Sequence, residues 1–215
     1  MSDCCSPKGY RWVFSERNAR SEAKRYRRKG LDGTSREIVD YLKSQTLDGQ
    51  TVLEVGGGIG AVQIELLKAG AGSAMSVELT PTYEQVAVGL LDDAGLRDRV
   101  RRQVTDFVEA ASQVEAADIV VLNRVLCCYP DMPRLAAAAA EHTRRTLVLS
   151  YPRRTWWTIA SFAVFNWFLA LFRRQFHVFV HAPKEIMATA RSHGLEPVLD
   201  RPGAFWTVAA LRRIA

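Results

Sequence analysis

Short β-branched runs, each followed by a stretch with helical periodicity, fill the chain after residue 49. The runs are Thr51 to Val55, Ala74 to Val77, Val100 to Val104, Asp118 to Asn123 and Thr146 to Ser150. The helical stretches lie between them, at about 61–69, 82–94, 107–113 and 132–142. Alternation of short buried strands with helices is typical of a parallel sheet that is covered on both faces. The pattern predicts a doubly wound, Rossmann-like α/β fold.

The end of the chain has a different pattern. Two further strands are predicted, from Leu195 to Asp200 and from Phe205 to Leu211, with only four residues between them. Parallel strands need a long crossover, so a connection this short indicates an antiparallel hairpin. We therefore expect a mostly parallel sheet that finishes in an antiparallel C-terminal hairpin.

The first part of the chain is polar, helical and basic. A helical pattern runs from Phe14 to Gly30, where the glycine is a plausible stop, and Thr34 or Ser35 is a candidate cap for a second helix. Residues 1–30 hold nine Lys or Arg against three acids, whereas residues 31–215 hold 20 of each. We expect residues 1–48 to form a basic helical arm on a binding domain at 49–215. No aromatic platform or zinc-finger spacing accompanies the basic residues, so we expect a solvated helix face and no nucleic-acid partner.

One segment, within residues 153–174, breaks the strand and helix rhythm. Residues 155–172 carry no charge and seven aromatic side chains, with two arginines at each end. A membrane span is disfavoured because polar residues interrupt the segment and because it lies between strands of one sheet. We predict a cap helix that covers a hydrophobic acceptor or docks on a membrane surface. Burial inside the domain or in a homodimer interface is the alternative.

The four cysteines occur as two adjacent pairs, Cys4–Cys5 and Cys127–Cys128. Adjacent cysteines lack the spacing of a zinc knuckle, and we expect no metal site. No signal peptide pattern opens the chain, so we expect free thiols in the cytoplasm. A thiol-based metalloid handler remains an alternative.

The strongest chemical signal is a glycine-rich turn that follows the first strand. In the run Val52 to Gly60, glycines stand at positions 56, 58 and 60, where they let the backbone turn sharply and approach a ligand. The same turn also fits a relaxed nicotinamide or flavin fingerprint. Glu54, however, stands at the mouth of the turn, where its carboxylate would repel a pyrophosphate and favour an ammonium group.

The sequence E-V-G-G-G-I-G resembles the first motif of class I S-adenosylmethionine (SAM) dependent methyltransferases, and the C-terminal hairpin is similar to that family too. The resemblance implies SAM as the cofactor, with the loop against its methionine moiety. Glu78 follows Gly58 by 20 residues, at the end of the second strand, where a carboxylate can accept hydrogen bonds from ribose hydroxyls. Asp106 resembles the acidic residue near the adenine amino group, although it also reads as a helix N-cap, and Phe107 is placed against the adenine ring. The predicted cofactor residues are Glu54, Gly56, Gly57, Gly58, Ile59, Gly60, Glu78, Leu79, Asp106, Phe107 and Asn123.

A closer resemblance is to the magnesium-protoporphyrin O-methyltransferase family. It is carried by Asn123 to Pro130, by Leu149 to Pro152 and by Phe176 to His181. The chain departs from that family at Cys128, where the family tends to carry a histidine. The family's arm tyrosine corresponds to Tyr10 or to Tyr26.

The predicted chemistry on the acceptor side depends on the acceptor. A carboxylate needs no general base, whereas a phenol, amine or thiol does, and Tyr129, Cys128, His181 and His177 are the candidates by position. Four arginines can pair with an anionic acceptor or stay solvated: Arg124, Arg153, Arg154 and Arg174. We expect a large apolar acceptor bearing a carboxylate or hydroxyl, such as a tetrapyrrole, quinone or polyketide. The alternative function is a membrane-surface or thiol-binding protein that keeps this fold without catalysis.

Overall fold

The computed structural model describes residues 9, 10 and 13–214. Within them a single sheet contains seven strands, close to the predicted runs: β1 (Thr51–Val55), β2 (Ser73–Glu78), β3 (Val100–Val104), β4 (Ala117–Asn123), β5 (Thr143–Pro152), β6 (Leu195–Pro202) and β7 (Trp206–Arg213). The first of the two adjacent cysteine pairs, Cys4–Cys5, lies outside the described residues.

Seven α-helices that lie wholly within the described residues accompany these strands. They are α1 (Glu16–Lys29), α2 (Gly33–Lys43), α3 (Ala61–Lys68), α4 (Glu84–Asp93), α5 (Met132–Glu141), α6 (Trp156–Leu171) and α7 (Pro183–Ser192). The helix predicted at 107–113 is wrong. Only a 3-10 turn, Ala111–Gln113, forms there, because Asp106 caps a tight turn instead of a full helix.

The strands lie in the order β3-β2-β1-β4-β5-β7-β6. Strands β1 to β5 are mutually parallel, and β7 runs antiparallel to both β5 and β6. The chain moves outward from β1 in one direction and from β4 in the other, so the strand order reverses between these two. A reversal of this kind opens a crevice at the carboxyl ends of the strands, where ligands bind in such folds. The predicted Rossmann-like fold with its antiparallel hairpin is confirmed.

Two apolar layers cover the sheet, one on each face. Along β4, Ile119 and Val121 pack in one layer, and Val120 and Leu122 pack in the other. Successive side chains of a strand point to opposite faces, so a run of apolar residues is buried on both sides. This explains why the central strands β1 and β4 are mostly apolar, with Glu54 as the buried exception in β1.

The two arm helices, α1 and α2, pack in the apolar layer that contains Ile119 and Val121. Ala19 and Ala23 of α1 and Ile38 of α2 are buried there with Val52 of β1. Gly30 ends α1 as predicted, in the left-handed region at φ +70°. The predicted cap of α2 is wrong. The cap is Asp32, two residues before Thr34, and its side chain accepts a hydrogen bond from the Ser35 backbone N–H at 3.1 Å.

The aromatic segment forms α6, and most of its surface is uncovered. Only Thr158 and Leu169 of this helix are buried, so the alternative of burial inside the domain is wrong. No helix in the part of the chain described is both long and apolar enough to cross a membrane.

Candidate active site

A cavity of about 270 Å³ opens at the carboxyl ends of β1, β2 and β4. One part of its wall is the glycine-rich turn with the residues that follow β2 and β3, and the other part combines the arm with the segment after β4. The arm residues that line it include Tyr10, Phe14, Arg25 and Leu31. The cavity therefore joins the predicted cofactor residues to a surface formed by the arm and by the segment after β4.

The glycine-rich turn adopts a backbone that other residues rarely adopt. Gly56, Gly58 and Gly60 have φ angles of +66°, +60° and +74°. A Cβ at Gly56 would lie 2.7 Å from a methyl carbon of Val125, and one at Gly57 would lie 2.3 Å from the carboxyl carbon of Glu54. Both positions therefore exclude a side chain, which the spacing of the glycines predicts for Gly56.

Glu54 lies beneath this turn, 1% exposed, and contributes to the cavity wall. Burial raises the pKa of its carboxyl to about 7, although the Arg102 charge and the backbone N–H of Gln63 act in the opposite direction. Neither carboxylate oxygen has a hydrogen-bond partner that meets normal geometry. An unpaired buried carboxyl is costly, and a cationic ligand group in the cavity would offset that cost.

Glu78 ends β2 beside the turn. One of its carboxylate oxygens accepts a 2.6 Å hydrogen bond from the Gly58 backbone N–H. Burial raises the pKa of this carboxyl to about 8, and the nearby charges of Glu54 and Glu84 add to the rise while Arg102 opposes it. Glu78 thus holds the turn and presents a carboxyl group to the cavity.

Arg102 of β3, a residue that the sequence did not single out, lies buried behind the cavity wall and supports the glycine turn. Its guanidinium forms an ion pair with Glu84 at 2.7 Å and lies 3.4 Å from the Gly58 carbonyl oxygen. The strand register aligns Glu54 with Ser76 and Ser76 with Arg102, so these three side chains share one face of the sheet. The sequence carried no signal for this role, because an arginine in a predicted strand usually points to solvent.

The predicted adenine-side residues also line the cavity. The Asp106 carboxylate accepts a hydrogen bond from the Val108 backbone N–H at 2.9 Å, so it has the capping role that was its alternative reading. It also accepts a hydrogen bond from the Tyr129 hydroxyl at 3.1 Å. Phe107 is buried, with its ring 5.2 Å from that of His142. Ile59 and Leu79 line the cavity, whereas Gly60 stands outside its wall as the N-cap of α3.

Asn123, at the end of β4, connects the sheet to the arm. Its amide nitrogen donates to the Ser35 hydroxyl at 2.9 Å, and its amide oxygen accepts from the Ser150 hydroxyl at 2.7 Å. Both ends of the amide are therefore engaged. This amide fixes α2 over the carboxyl end of the sheet.

The predicted catalytic residues occupy two different places. Tyr129 and Cys128 line the cavity, whereas His181 and His177 do not contribute to its wall. His181 contacts the Tyr129 backbone carbonyl at 3.3 Å, and His177 contacts the Asn166 side chain at 3.1 Å. Burial lowers the pKa of both histidines.

Neither cavity-lining candidate is readily ionised. Burial and the neighbouring Asp106 raise the pKa of Tyr129. The Cys127 thiol, whose sulfur lies 3.5 Å from that of Cys128, raises the pKa of Cys128 together with burial. Both groups therefore stay protonated at neutral pH.

The arm brings one of the two candidate tyrosines to the acceptor side. The Tyr10 hydroxyl donates to the Cys128 backbone carbonyl. The Tyr26 hydroxyl instead donates to Glu65 at 2.6 Å, on α3. Tyr10 is therefore the arm tyrosine that contacts the segment after β4.

Four arginines were candidates for pairing with an anionic acceptor. Arg124 lines the cavity, whereas Arg153, Arg154 and Arg174 do not. Arg124 has a φ of +62° and forms an ion pair with Asp32 at 2.6 Å. Its Nε is buried and has no hydrogen-bond partner. The left-handed backbone and the unpaired donor mark Arg124 as a strained, cavity-facing residue.

Residues 23–200 match the sequence profile of a methyltransferase domain. The chain belongs to this methyltransferase family. The match spans β1 to β5 and the aromatic helix, and it confirms the predicted SAM-dependent methyltransferase at the level of the family.

One curated relative, the ribosomal protein L11 methyltransferase of Desulforamulus reducens, is 30% identical over 109 residues, which is 49% of this chain and 35% of that protein. The chain thus matches about a third of the length of this relative.

Solved structures share the fold. The magnesium protoporphyrin IX methyltransferase of Synechocystis PCC 6803 with bound SAH superposes with a TM-score of 0.70 and 19% identity, over 90% of this chain and 95% of that one. The same protein with bound SAM gives a TM-score of 0.69 and 16% identity, over 100% and 98%. An O-methyltransferase family 2 protein from Planctomyces limnophilus, in complex with apigenin, gives 0.68 and 20%, over 93% and 62%.

Proposed function

We propose that this protein transfers a methyl group from SAM to a carboxylate of a large apolar molecule, with a porphyrin as the leading candidate. The observation that carries the proposal is the continuous cavity, which has buried carboxyl groups and a glycine turn in one part and Arg124 with arm aromatic residues in the other. When bound, SAM supplies a methyl group that its sulfonium already activates.

The residues of the glycine turn fit that cofactor. The unpaired oxygens of Glu54 offer acceptors for an ammonium group, and Glu78 offers a carboxylate for hydroxyl groups. The left-handed glycines leave the turn free of side chains on the cavity side. In such a reaction the main task of the chain is to hold the acceptor in line, which lowers the barrier by about 7–11 kcal/mol.

The state of the candidate bases supports a carboxylate acceptor. Tyr129 and Cys128 stay protonated, and His181 lies outside the cavity wall. A phenol or amine would need a base within hydrogen-bond reach, whereas a carboxylate is already ionised at neutral pH. Arg124 would pair with that carboxylate through its guanidinium.

The cavity wall holds two further carboxyl groups, Asp32 and Glu22. Asp32 is ion-paired with Arg124 at 2.6 Å, so the experiment must address Glu22. Burial raises its pKa, and it accepts a hydrogen bond from the Tyr83 hydroxyl at 3.1 Å. If the acceptor were a phenol, Glu22 would be the candidate base. A carboxylate acceptor predicts that Glu22→Gln retains methyl transfer.

The decisive experiment incubates the protein with methyl-labelled SAM and magnesium protoporphyrin and follows the label by mass spectrometry, with calorimetry of SAM binding as the control. A methyl ester product supports the proposal. SAM binding without a product would reject this porphyrin, and transfer to phenols that disappears in Glu22→Gln would reject the carboxylate acceptor.

A further inference from the structure

Helix α6 exposes an apolar face that nothing in the described structure covers. Trp156 is 81% exposed, and Val164, Trp167 and Leu171 are 55–60% exposed. Spacings of 3, 4, 7 and 8 residues place these side chains on one side of a helix. Single exposed apolar residues are common in proteins, but a contiguous stripe of this kind marks an interaction surface.

The opposite side of α6 is fixed to the protein. Thr158 and Leu169 are buried, and the Asn166 side chain donates to the Val178 carbonyl at 2.8 Å and accepts from its N–H at 2.9 Å. The helix is thus held in place with its apolar stripe facing outward. Its sixteen residues extend for about 24 Å.

The tip of the C-terminal hairpin continues this surface. Phe205, between β6 and β7, is 44% exposed, and its ring lies edge-on against that of Trp157 at 4.5 Å. Two tryptophans, Trp156 and Trp167, stand on the outward stripe. Tryptophan is enriched where protein meets the lipid headgroup region, because its ring is apolar and its N–H is polar.

The charges around α6 indicate which kind of partner fits its exposed face. Arg153 and Arg154 precede the helix, Arg173 and Arg174 follow it, and all four are exposed. The sequence from 142 to 184 contains no Asp or Glu. If α6 packed against the same helix of a second copy, arginines would meet arginines in either orientation. Anionic lipid headgroups instead complement both ends of a helix that lies flat on a bilayer.

We propose that α6 and the hairpin tip dock on the surface of an anionic lipid membrane. The apolar stripe enters the boundary between headgroups and acyl chains, and the flanking arginines contact lipid phosphates. This proposal does not depend on the proposed acceptor. Membrane docking would nevertheless affect the acceptor site, because Leu169 packs in one cluster with Tyr10, which lines the cavity. The docked helix would hold the arm side of the cavity close to the membrane surface.

The test is co-sedimentation of the full chain with vesicles of phosphatidylcholine alone and of phosphatidylcholine with phosphatidylglycerol. We expect binding to the anionic vesicles that weakens with salt, and a blue shift of tryptophan emission on binding. The triple variant Trp156→Ser, Trp167→Ser, Leu171→Ser should partition at least about tenfold more weakly. The quadruple variant with Gln at 153, 154, 173 and 174 should lose the preference for anionic vesicles.

Val198→Ser is the matched control, because Val198 is 48% exposed on β6 and belongs neither to α6 nor to the cavity wall. It should bind vesicles as the parent does. Calorimetry with SAM and thermal melting establish that each variant is folded. Absence of binding to anionic vesicles would overturn the proposal. The proposal would also be overturned if light scattering showed that the parent is a dimer and that the triple variant is a monomer, because a second copy of the chain would then cover α6.

Discussion

The carboxylate of Glu78 accepts a 2.6 Å hydrogen bond from the backbone N–H of Gly58, twenty residues earlier in the chain. This bond joins the end of β2 to the glycine turn after β1. It places two buried carboxyl groups, Glu78 and Glu54, beside one cavity with Arg102 as a shared counter-charge.

These two carboxyl groups predict how stability depends on pH. Their pKa values rise from 4.5 in the unfolded chain to about 7 for Glu54 and about 8 for Glu78. The folded protein therefore keeps protons that the unfolded chain has released, and this contribution to stability is lost as pH rises from about 4.5 through 8. We expect Glu54→Gln and Glu78→Gln to gain stability relative to the parent over this interval. Melting temperatures at pH 5 to 9 measure the difference, and a constant difference between parent and variants would contradict it.

The same groups predict proton release on SAM binding. A cationic ligand favours the ionised carboxylates, so binding near pH 7 should release protons and become tighter as pH rises. Calorimetry in two buffers of different ionisation enthalpy measures the number released. Glu54→Gln should release fewer protons than the parent, and equal numbers would argue against Glu54 as a contact of the ligand.

Gly58→Val should weaken SAM binding strongly without unfolding the chain. The left-handed backbone costs a non-glycine residue about 1–2 kcal/mol, and a Cβ there would approach the Tyr83 ring at 3.3 Å. Gly89→Ala is the matched control, since a Cβ at this position in α4 has no atom within 4 Å. That variant should be as stable as the parent or slightly more so. Parent-like SAM affinity in both Gly58→Val and Glu78→Ala would show that the cofactor site is assigned to the wrong residues.

Arg124→Gly should weaken acceptor binding and leave SAM binding unchanged. Glycine tolerates the φ of +62°, so the variant removes the guanidinium without adding strain. Loss of a charge-assisted hydrogen bond costs about 1.5–3 kcal/mol, which raises the KM for an anionic acceptor by about tenfold or more. Arg153→Ala, outside the cavity wall, should not raise it. A similar KM in both variants would exclude Arg124 as the acceptor contact.

Cys127→Ser and Cys128→Ser should retain methyl transfer. Neither thiol supplies a base, because the pKa of Cys128 is raised and Cys127 is buried in the apolar cluster with Phe176. We expect a small loss of stability and altered packing near Tyr10. Label transfer and thermal melting measure these effects. Loss of function in both variants, together with tight binding of a trivalent metalloid by the parent, would support the thiol-based alternative.

The local pattern was sufficient for the elements of the sheet and for the glycine turn. Short β-branched runs identified β1 to β5, and β1 and β4 are mostly apolar because both of their faces are buried, whereas the edge strand β3 is mostly polar. Glu54 and Glu78 were found because each stands at a strand end beside a turn. The helix at 107–113 was predicted wrongly, since its periodicity did not show that Asp106 would cap a short turn. The cap of α2 was placed at Thr34 or Ser35 for a similar reason, because several neighbouring residues can serve as caps.

Tertiary structure alone decided the relationships between distant residues. Arg102 reaches Gly58 because β3 lies beside β2, and Asp32 reaches Arg124 because the arm folds over the end of β4. The choice between Tyr10 and Tyr26 depended on which side of the cavity each arm residue faces. The apolar composition of α6 was evident from the sequence, whereas its exposure was not, because a buried apolar helix and an exposed one have the same sequence pattern. The sequence by itself therefore determined the strands and the chemical groups at their ends, and the packing of the arm and of α6 determined what those groups face.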